Sequence, residues 1–368
     1  MFELNNEQRR CFGLPTVEAG WVRLELKASP YDEHQTVAYL DGDVLRKFIA
    51  SGEDRYAEYE ISERVSEDRE YLLPRTQKGK PVLLTAASLQ KRTPQGMCLS
   101  FFRHRSGYGD VSLHSDTSQK NYYTNEYMLG EIRDFGDFQR WIEDWCADTT
   151  PEDIADLSDF AAQPRSHQKF REGDVFRFKI GRRQYGYGRI LLDYAQMRKK
   201  KEPFWDVFMG KPVVCSVYRI VTDRKDVTVQ ELQGLGSLPS TILMDNRLYY
   251  GEFEILGNLP VGEREDYPIF YGNSISALDN GVRLQCGKIY RRKDDDTALY
   301  RDFTNNGVGF GLGFSLAVLQ QCIREDSNAP YWAQDSWKVN RDLRNPKFRE
   351  ELERVCGQFD LKISDLIP

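Results

Sequence analysis

Histidine is almost missing from this chain: His34, His104, His114 and His167 are the four in 368 residues. No serine elbow, His-Glu helix pair, Walker loop or zinc-deaminase pattern occurs. Those absences remove the hydrolase, metalloprotease and nucleotide-binding chemistries that such motifs carry. Cys11, Cys98, Cys146, Cys215, Cys286, Cys322 and Cys356 are scattered, odd in number, and contain no C-x-x-C pair. Neither a disulfide framework nor a zinc site is therefore expected, and a reducing cytoplasm is the expected compartment. The longest apolar candidate, Val308 to Ile323, is broken by Gly and Gln and is too short to span a bilayer. The start, Met1 to Arg10, has no basic region followed by an apolar run, so no signal peptide is expected. Internal repeats, low-complexity blocks and heptads are also missing.

What remains is an ordinary globular balance, with 40% hydrophobic and 29% charged residues. The length favours two domains, each able to bury its own core. Aromatics reach 12%, with 20 Tyr and 20 Phe, which suits β-rich packing. The net charge of −6 is uneven: residues 1–168 carry −9 and residues 169–368 carry +3. Within the first part, Glu126 to Phe160 holds 11 acids against Arg133 and Arg140. An acidic patch of this kind repels nucleic acid and attracts basic partners.

Residues 1–125 read mostly as strands and turns. Trp21 to Leu26 alternates with period two; Tyr56–Ile61, Pro81–Thr85, Met97–Phe102 and Val111–His114 look like further strands. Gly42 to Ile49 reads as a short helix. Residues 135–162 switch period. Phe138, Trp141, Ile142 and Trp145 fall on one helical face, and Thr150-Pro151-Glu152-Asp153 is a helix start followed by Ile154, Leu157 and Phe160 at helical spacing. Two acidic amphipathic helices are expected, with Asp137, Asp144 and Asp148 off the apolar face. Residues 161–168 carry Pro and polar residues without periodicity and are read as a linker. Beyond it, strand-like runs cover 174–180, 185–193, 204–209, 212–222, 248–256 and 282–290. Leu312–Ile323 and Pro346–Phe359 look helical, the latter with Phe348, Leu352, Val355 and Cys356 on one face.

Candidate chemistry is sparse. His104 and His114, ten apart across a glycine turn, would need a third and fourth ligand that the sequence does not point to, so no metal and no cofactor is expected. Gly307 to Gly313 is glycine-rich before a helix, but the spacing fits neither the dinucleotide fingerprint nor the P-loop, and tight packing is the expected reason. Asp294-Asp295-Asp296 reads as a solvated loop. Arg177, Lys179, Arg182, Arg183 and Arg189, followed by Arg198 to Lys201, form a basic cluster with Tyr185 and Tyr187 interleaved. It reads either as a guarded edge strand or as an RNA-binding surface. The acidity of the whole chain favours the former.

The most informative stretch is Lys169 to Leu191. Val175, Phe176, Phe178 and Ile180 form a β-prone run, Gly181 to Gln184 turns it, and Tyr185-Gly186-Tyr187-Gly188-Arg189-Ile190-Leu191 resumes it. Gly173-Asp174 before the first strand is a tight turn. This "basic-x-Gly-Asp-hydrophobic-Phe … Tyr-Gly-x-Gly-Arg-hydrophobic" hairpin resembles the immunity protein 26 family of bacterial polymorphic-toxin systems, with a looser likeness over Phe204 to Ile220. The resemblance implies a non-enzymatic antitoxin that neutralises a cognate toxin by stoichiometric binding. It carries no catalytic residue over.

The expected fold is α+β in two domains, each a bent, mostly antiparallel sheet or small barrel with a few helices. Residues 1–160 form the first and 169–368 the second, immunity-protein-26-like domain. The expected partner is a basic toxin domain met by Asp137, Asp144, Asp148, Tyr185 and Tyr187; neither membrane nor nucleic acid is expected as a partner. A nucleic-acid or regulatory module using 177–201, and an enzyme with an unrecognised carboxylate site, are the alternatives.

Overall fold

The computed structural model describes residues 1–27, 34–128, 130–205, 210–273, 281–294, 296–303 and 311–367. It is an α+β protein whose chain divides into two compact units, Met1–Ser166 and His167–Pro368. No helix among the described residues is long and apolar enough to cross a membrane.

The first unit is built on one antiparallel sheet. Its strands are β1 (Val22–Leu26), β2 (Gln35–Asp41), β3 (Val44–Ser51), β4 (Arg55–Val65), β5 (Tyr71–Leu73), β6 (Val82–Leu83), β7 (Gln95–Arg103), β8 (Gly109–Ser115) and β9 (Lys120–Thr124). The order is β1-β2-β3-β4-β7-β8-β9, with β5 and β6 branching from β4. It is open rather than a barrel, and it bends through register shifts at Tyr39/Leu40, Leu45/Lys47, Glu58/Glu60 and Leu113/His114. The expected helix over Gly42–Ile49 is instead β3. Gly42 at φ +61° opens a two-residue turn after Asp41, and the chain folds back to pair with β2 and then β4. Pairing on both sides outweighs the local apolar spacing that suggested a helix.

Both faces of this sheet are covered. One face packs Val37, Tyr39, Ile49, Tyr56, Leu99 and Leu113 against α1 (Asn6–Cys11), α3 (Phe135–Ala147) and α4 (Pro151–Ala161). The other buries Ala38, Leu40, Leu45, Phe48, Ile61 and Leu72 with Leu89 of the one-turn helix α2 (Ala86–Leu89). Asp134 caps α3, and Thr150 with Asp153 forms a capping box on α4, which has Pro151 in its first turn. Phe138 and Ile142 are fully buried, as their spacing implies; Ile154 is exposed, so α4 is anchored by Leu157 and the partly buried Phe160 rather than by the full face expected.

A carboxylate lies inside this core. Glu58, 1% exposed, accepts from Arg9 Nε at 2.8 Å and from the Tyr56 hydroxyl at 2.8 Å, and it pairs with Lys47. Lys47 also donates to the Pro15 carbonyl. Burial pushes the Lys47 ammonium below its ordinary range, while Glu58 pulls the other way.

The second unit holds two antiparallel sheets. The larger contains β10 (Asp174–Lys179), β11 (Tyr185–Asp193), β12 (Pro212–Val217), β13 (Thr241–Met244) and β14 (Glu254–Asn258), in the order β13-β12-β11-β10-β14. The smaller is β15 (Ile269–Asn273), β16 (Val282–Cys286) and β17 (Ile289–Lys293). The single run expected over 282–290 is thus a hairpin, because Gly287 at φ +55° turns the chain. The run 248–256 is divided between the short helix α7 (Asn246–Tyr249) and β14; α5 (Tyr194–Lys200) and α6 (Val229–Leu232) are the other helices around the larger sheet. The runs over 204–209 and 307–313 fall partly outside the described residues, as does Asp295.

Helices α8 (Leu316–Glu325), α9 (Ala329–Trp332), α10 (Arg349–Gln358) and α11 (Ile363–Leu366) complete the chain. Leu352, Val355 and Cys356 of α10 pack on Tyr271, Val282 and Leu284 of the smaller sheet. Arg344, 7% exposed, bonds Asp342, Asp266 and both Ser240 oxygens, tying the segment before α10 to the start of β13.

Two outcomes follow from this architecture. Arg165 is exposed between α4 and His167, which already stacks on Tyr249 at 4.3 Å. Brief trypsin treatment should cut first there and leave two protease-resistant fragments, read by mass spectrometry; cleavage scattered through either unit instead would show that the halves do not fold apart. Glu58→Ala strands two buried cations and should cost about 3–5 kcal/mol in denaturant unfolding. A loss under 1 kcal/mol would mean that solvent reaches the cluster.

Candidate partner-binding surfaces

The β10–β11 hairpin explains its own sequence pattern. Phe176 lies opposite Gly188 and Phe178 opposite Gly186. A Cβ at Gly188 would come within 2.4 Å of the Phe176 ring and 2.7 Å of the Ser216 carbonyl; one at Gly186 would meet the Phe178 ring at 2.6 Å. The glycines therefore make room for two rings, which pack with Phe253 on that face, Phe176 stacking on it at 5.1 Å. Gly173, at φ +86°, approaches the Leu259 carbonyl, and the Asp174 carboxylate accepts from Arg171 N at 2.9 Å and Asn258 Nδ2 at 2.8 Å. This Gly-Asp pair closes the turn and ties β10 to β14.

Tyr185 and Tyr187, expected at a partner surface, are 5% and 0% exposed. They sit in a core with Val175, Tyr218, Val227 and Leu232, and the Tyr187 hydroxyl donates to the Arg224 carbonyl at 2.7 Å. Their alternation along β11 put them opposite the glycine face, and a second layer covers that side too. The hairpin's cations are also engaged. Arg177 pairs with Glu254 and stands over the Tyr185 ring at 5.2 Å. Arg189 pairs with Glu265 at 2.6 Å. Arg198, Lys199 and Lys200 fill the last turn of α5, where they complement the helix dipole.

The acidic helices divide likewise. Asp137 is 7% exposed, accepts from Arg133 N and Nε at 3.0 Å each, and pairs with Arg140. Those Arg133 bonds hold its carboxyl below the usual range. It locks the first turn of α3, with its carboxylate turned to its own arginines. Asp144 and Asp148 are exposed, together with Glu143, Glu152 and Asp159.

A groove of about 630 Å³ opens in the second unit. Its walls include Arg171 and Glu172 before β10, Gly262 to Glu265 after β14, Lys288 in the β16–β17 turn, and Asp365 of α11. Charges of both signs alternate across it, and Lys288 reaches Glu172 at 3.7 Å. Burial pushes the lining Cys286 thiol up to about 12, which suppresses its nucleophilicity. Paired surface charges around a concave wall suit the docking of a charged protein segment. Sequence reasoning passed over this region. Its one local signal was the Pro260-Val261-Gly262-Glu263-Arg264-Glu265 stretch, a turn followed by alternating charge.

Residues 171–281 match the family model for Immunity protein 26. The match begins just before β10 and ends just before β16, so it contains the whole five-stranded sheet. No curated protein and no solved structure matches the chain.

The glycine geometry makes a direct expectation. Gly188→Ala should lower stability by about 1–3 kcal/mol through overpacking against Phe176 and the fixed Ser216 carbonyl. The urea midpoint reads this; an unchanged midpoint would show that the ring vacates its place at no cost.

Proposed function

We propose that this protein is a non-enzymatic immunity protein that neutralises a cognate bacterial toxin by binding it directly, one to one, in the cytoplasm. The observation that carries the reading is the family match over 171–281, which coincides with a complete folded sheet rather than with a fragment of one. Binding by occlusion needs a rigid, charged surface and no catalytic constellation.

The partner is a basic toxin domain. Its approach is steered by the outer face of α3 and the start of α4, where Glu143, Asp144, Asp148 and Glu152 are exposed. Such a face raises association rates more than it deepens affinity. Asp137, Tyr185 and Tyr187 then act as supports of the fold, and Asp144 and Asp148 as the contacts.

Co-purification with the product of the adjacent upstream gene tests the role itself. Protection should saturate near one protein per toxin; protection by far fewer molecules would mean turnover and end the reading. With the pair in hand, Asp144→Lys with Asp148→Lys should slow association, and more strongly at low salt, because charges are screened over roughly 8–10 Å near physiological ionic strength. An unchanged association rate would move the contact to the Arg264/Lys288 groove.

A further inference from the structure

The first unit contains a cluster that the immunity reading does not use. Cys98 on β7 and His114 on β8 are direct partners in the antiparallel register. Opposed residues of this kind share a face, with Cβ atoms about 4.5–5.5 Å apart. Asp116 follows His114 by two residues and returns to the same side, its backbone N–H held by the Gly96 carbonyl at 2.8 Å. One ligand atom from each of Cys98, His114 and Asp116 lies within 4.8 Å of the other two. His104 takes no part. It sits at the hairpin turn, pairs with Asp110 at 2.6 Å and stacks on Tyr108.

Three details distinguish this cluster from an ordinary ion pair. His114 Nε2 and Asp116 Oδ1 stand 3.6 Å apart, too far for a hydrogen bond. Zinc bonds to S, N and O donors of about 2.0–2.3 Å place tetrahedral ligands about 3.3–3.7 Å from one another, which this separation fits. The other ring nitrogen, Nδ1, is within 3.1 Å of the Ser112 hydroxyl, itself 2.8 Å from the Ser100 hydroxyl. A second-shell partner on one nitrogen is the usual way to orient a ligating imidazole. Finally, Asp116 Oδ2 is buried and has no hydrogen-bond partner, a costly state that a cation would relieve.

We propose that Cys98, His114 and Asp116 form a binding site for one zinc-class divalent ion, with water in the fourth position. The donor set is one thiolate, one imidazole and one carboxylate, which selects a borderline ion over calcium or magnesium. Cys98 is fully buried, while His114 and Asp116 keep side-chain exposures of 25% and 16%, so the ion enters from their side. Bound there, it ties β7 to β8 and to the turn that leads into β9. The site is independent of the toxin-binding reading and stands or falls without it.

The test uses the full chain, stripped with a chelator and titrated with Co²⁺ alone and then Zn²⁺ alone. One equivalent of Co²⁺ should give a thiolate charge-transfer band and tetrahedral d–d absorption, both erased by Zn²⁺. Zn²⁺ should also raise the thermal midpoint. Cys98→Ala should abolish the charge-transfer band. Asp116→Asn, nearly isosteric and partly exposed, should weaken binding at least 10-fold while keeping the fold by circular dichroism, so the test survives if the cysteine variant unfolds. Ser112→Ala should weaken it about 10–100-fold. No cobalt spectrum in the full chain, or equal affinity in Asp116→Asn, would overturn the assignment.

Discussion

The first unit depends on one buried carboxylate. Glu58 lies between Arg9 and Lys47, which themselves are 4% and 1% exposed. Removing three charges from water is expensive, and their mutual attraction offsets that cost only because each is held by further bonds. What the cluster secures is position. Arg9 belongs to α1, so the cluster fixes α1 on β4. The next residues follow from that: Phe12 stacks on Trp141 and Trp145 at 5.5 Å each, and Trp145 Nε1 donates to the Cys11 carbonyl at 2.9 Å. The orientation of α3, and hence the outward direction of Asp144 and Asp148, is set through this chain of contacts.

The second unit answers the same demand with the signs reversed. Arg344 is buried among Asp342, Asp266 and Ser240. Here two carboxylates surround one cation, and the held segment is the approach to α10. In both units a charge inside the core, rather than additional apolar area, decides where a peripheral helix segment is seated.

Elements whose information is local were legible in the sequence. The faces of α3 and α10, the cap of α4 and the strands of the β10–β11 hairpin all follow from spacing and turn residues within a short window. The misreadings share a cause. Gly42 to Ile49 has helical spacing but pairs with strands on both sides. Glu58 carries no sign of its burial in its own window, because its partners are 49 and 11 positions away. Tyr185 and Tyr187 looked like a surface because a strand pattern cannot say that a second layer covers it. Cys98 and His114 meet through register, which depends on the length of the turn between them, whereas His104 sits at that turn and pairs with Asp110. The groove brings together residues from 171 to 367, and no local window contains it.

The two glycines of β11 carry a consequence for kinship. Gly186 and Gly188 are demanded by the rings of Phe176 and Phe178, inside the sheet and away from any visitor. The letters by which this stretch resembles the Immunity protein 26 family therefore report how the sheet closes on itself and are silent about what docks outside it. Two chains can share the hairpin and differ in every exposed residue around it, since the surface is free to drift while the packing is not. Kinship judged by this hairpin is kinship of scaffold, and what a chain binds has to be sought in exposed side chains such as Asp144 and Arg264, where nothing in the fold dictates the residue.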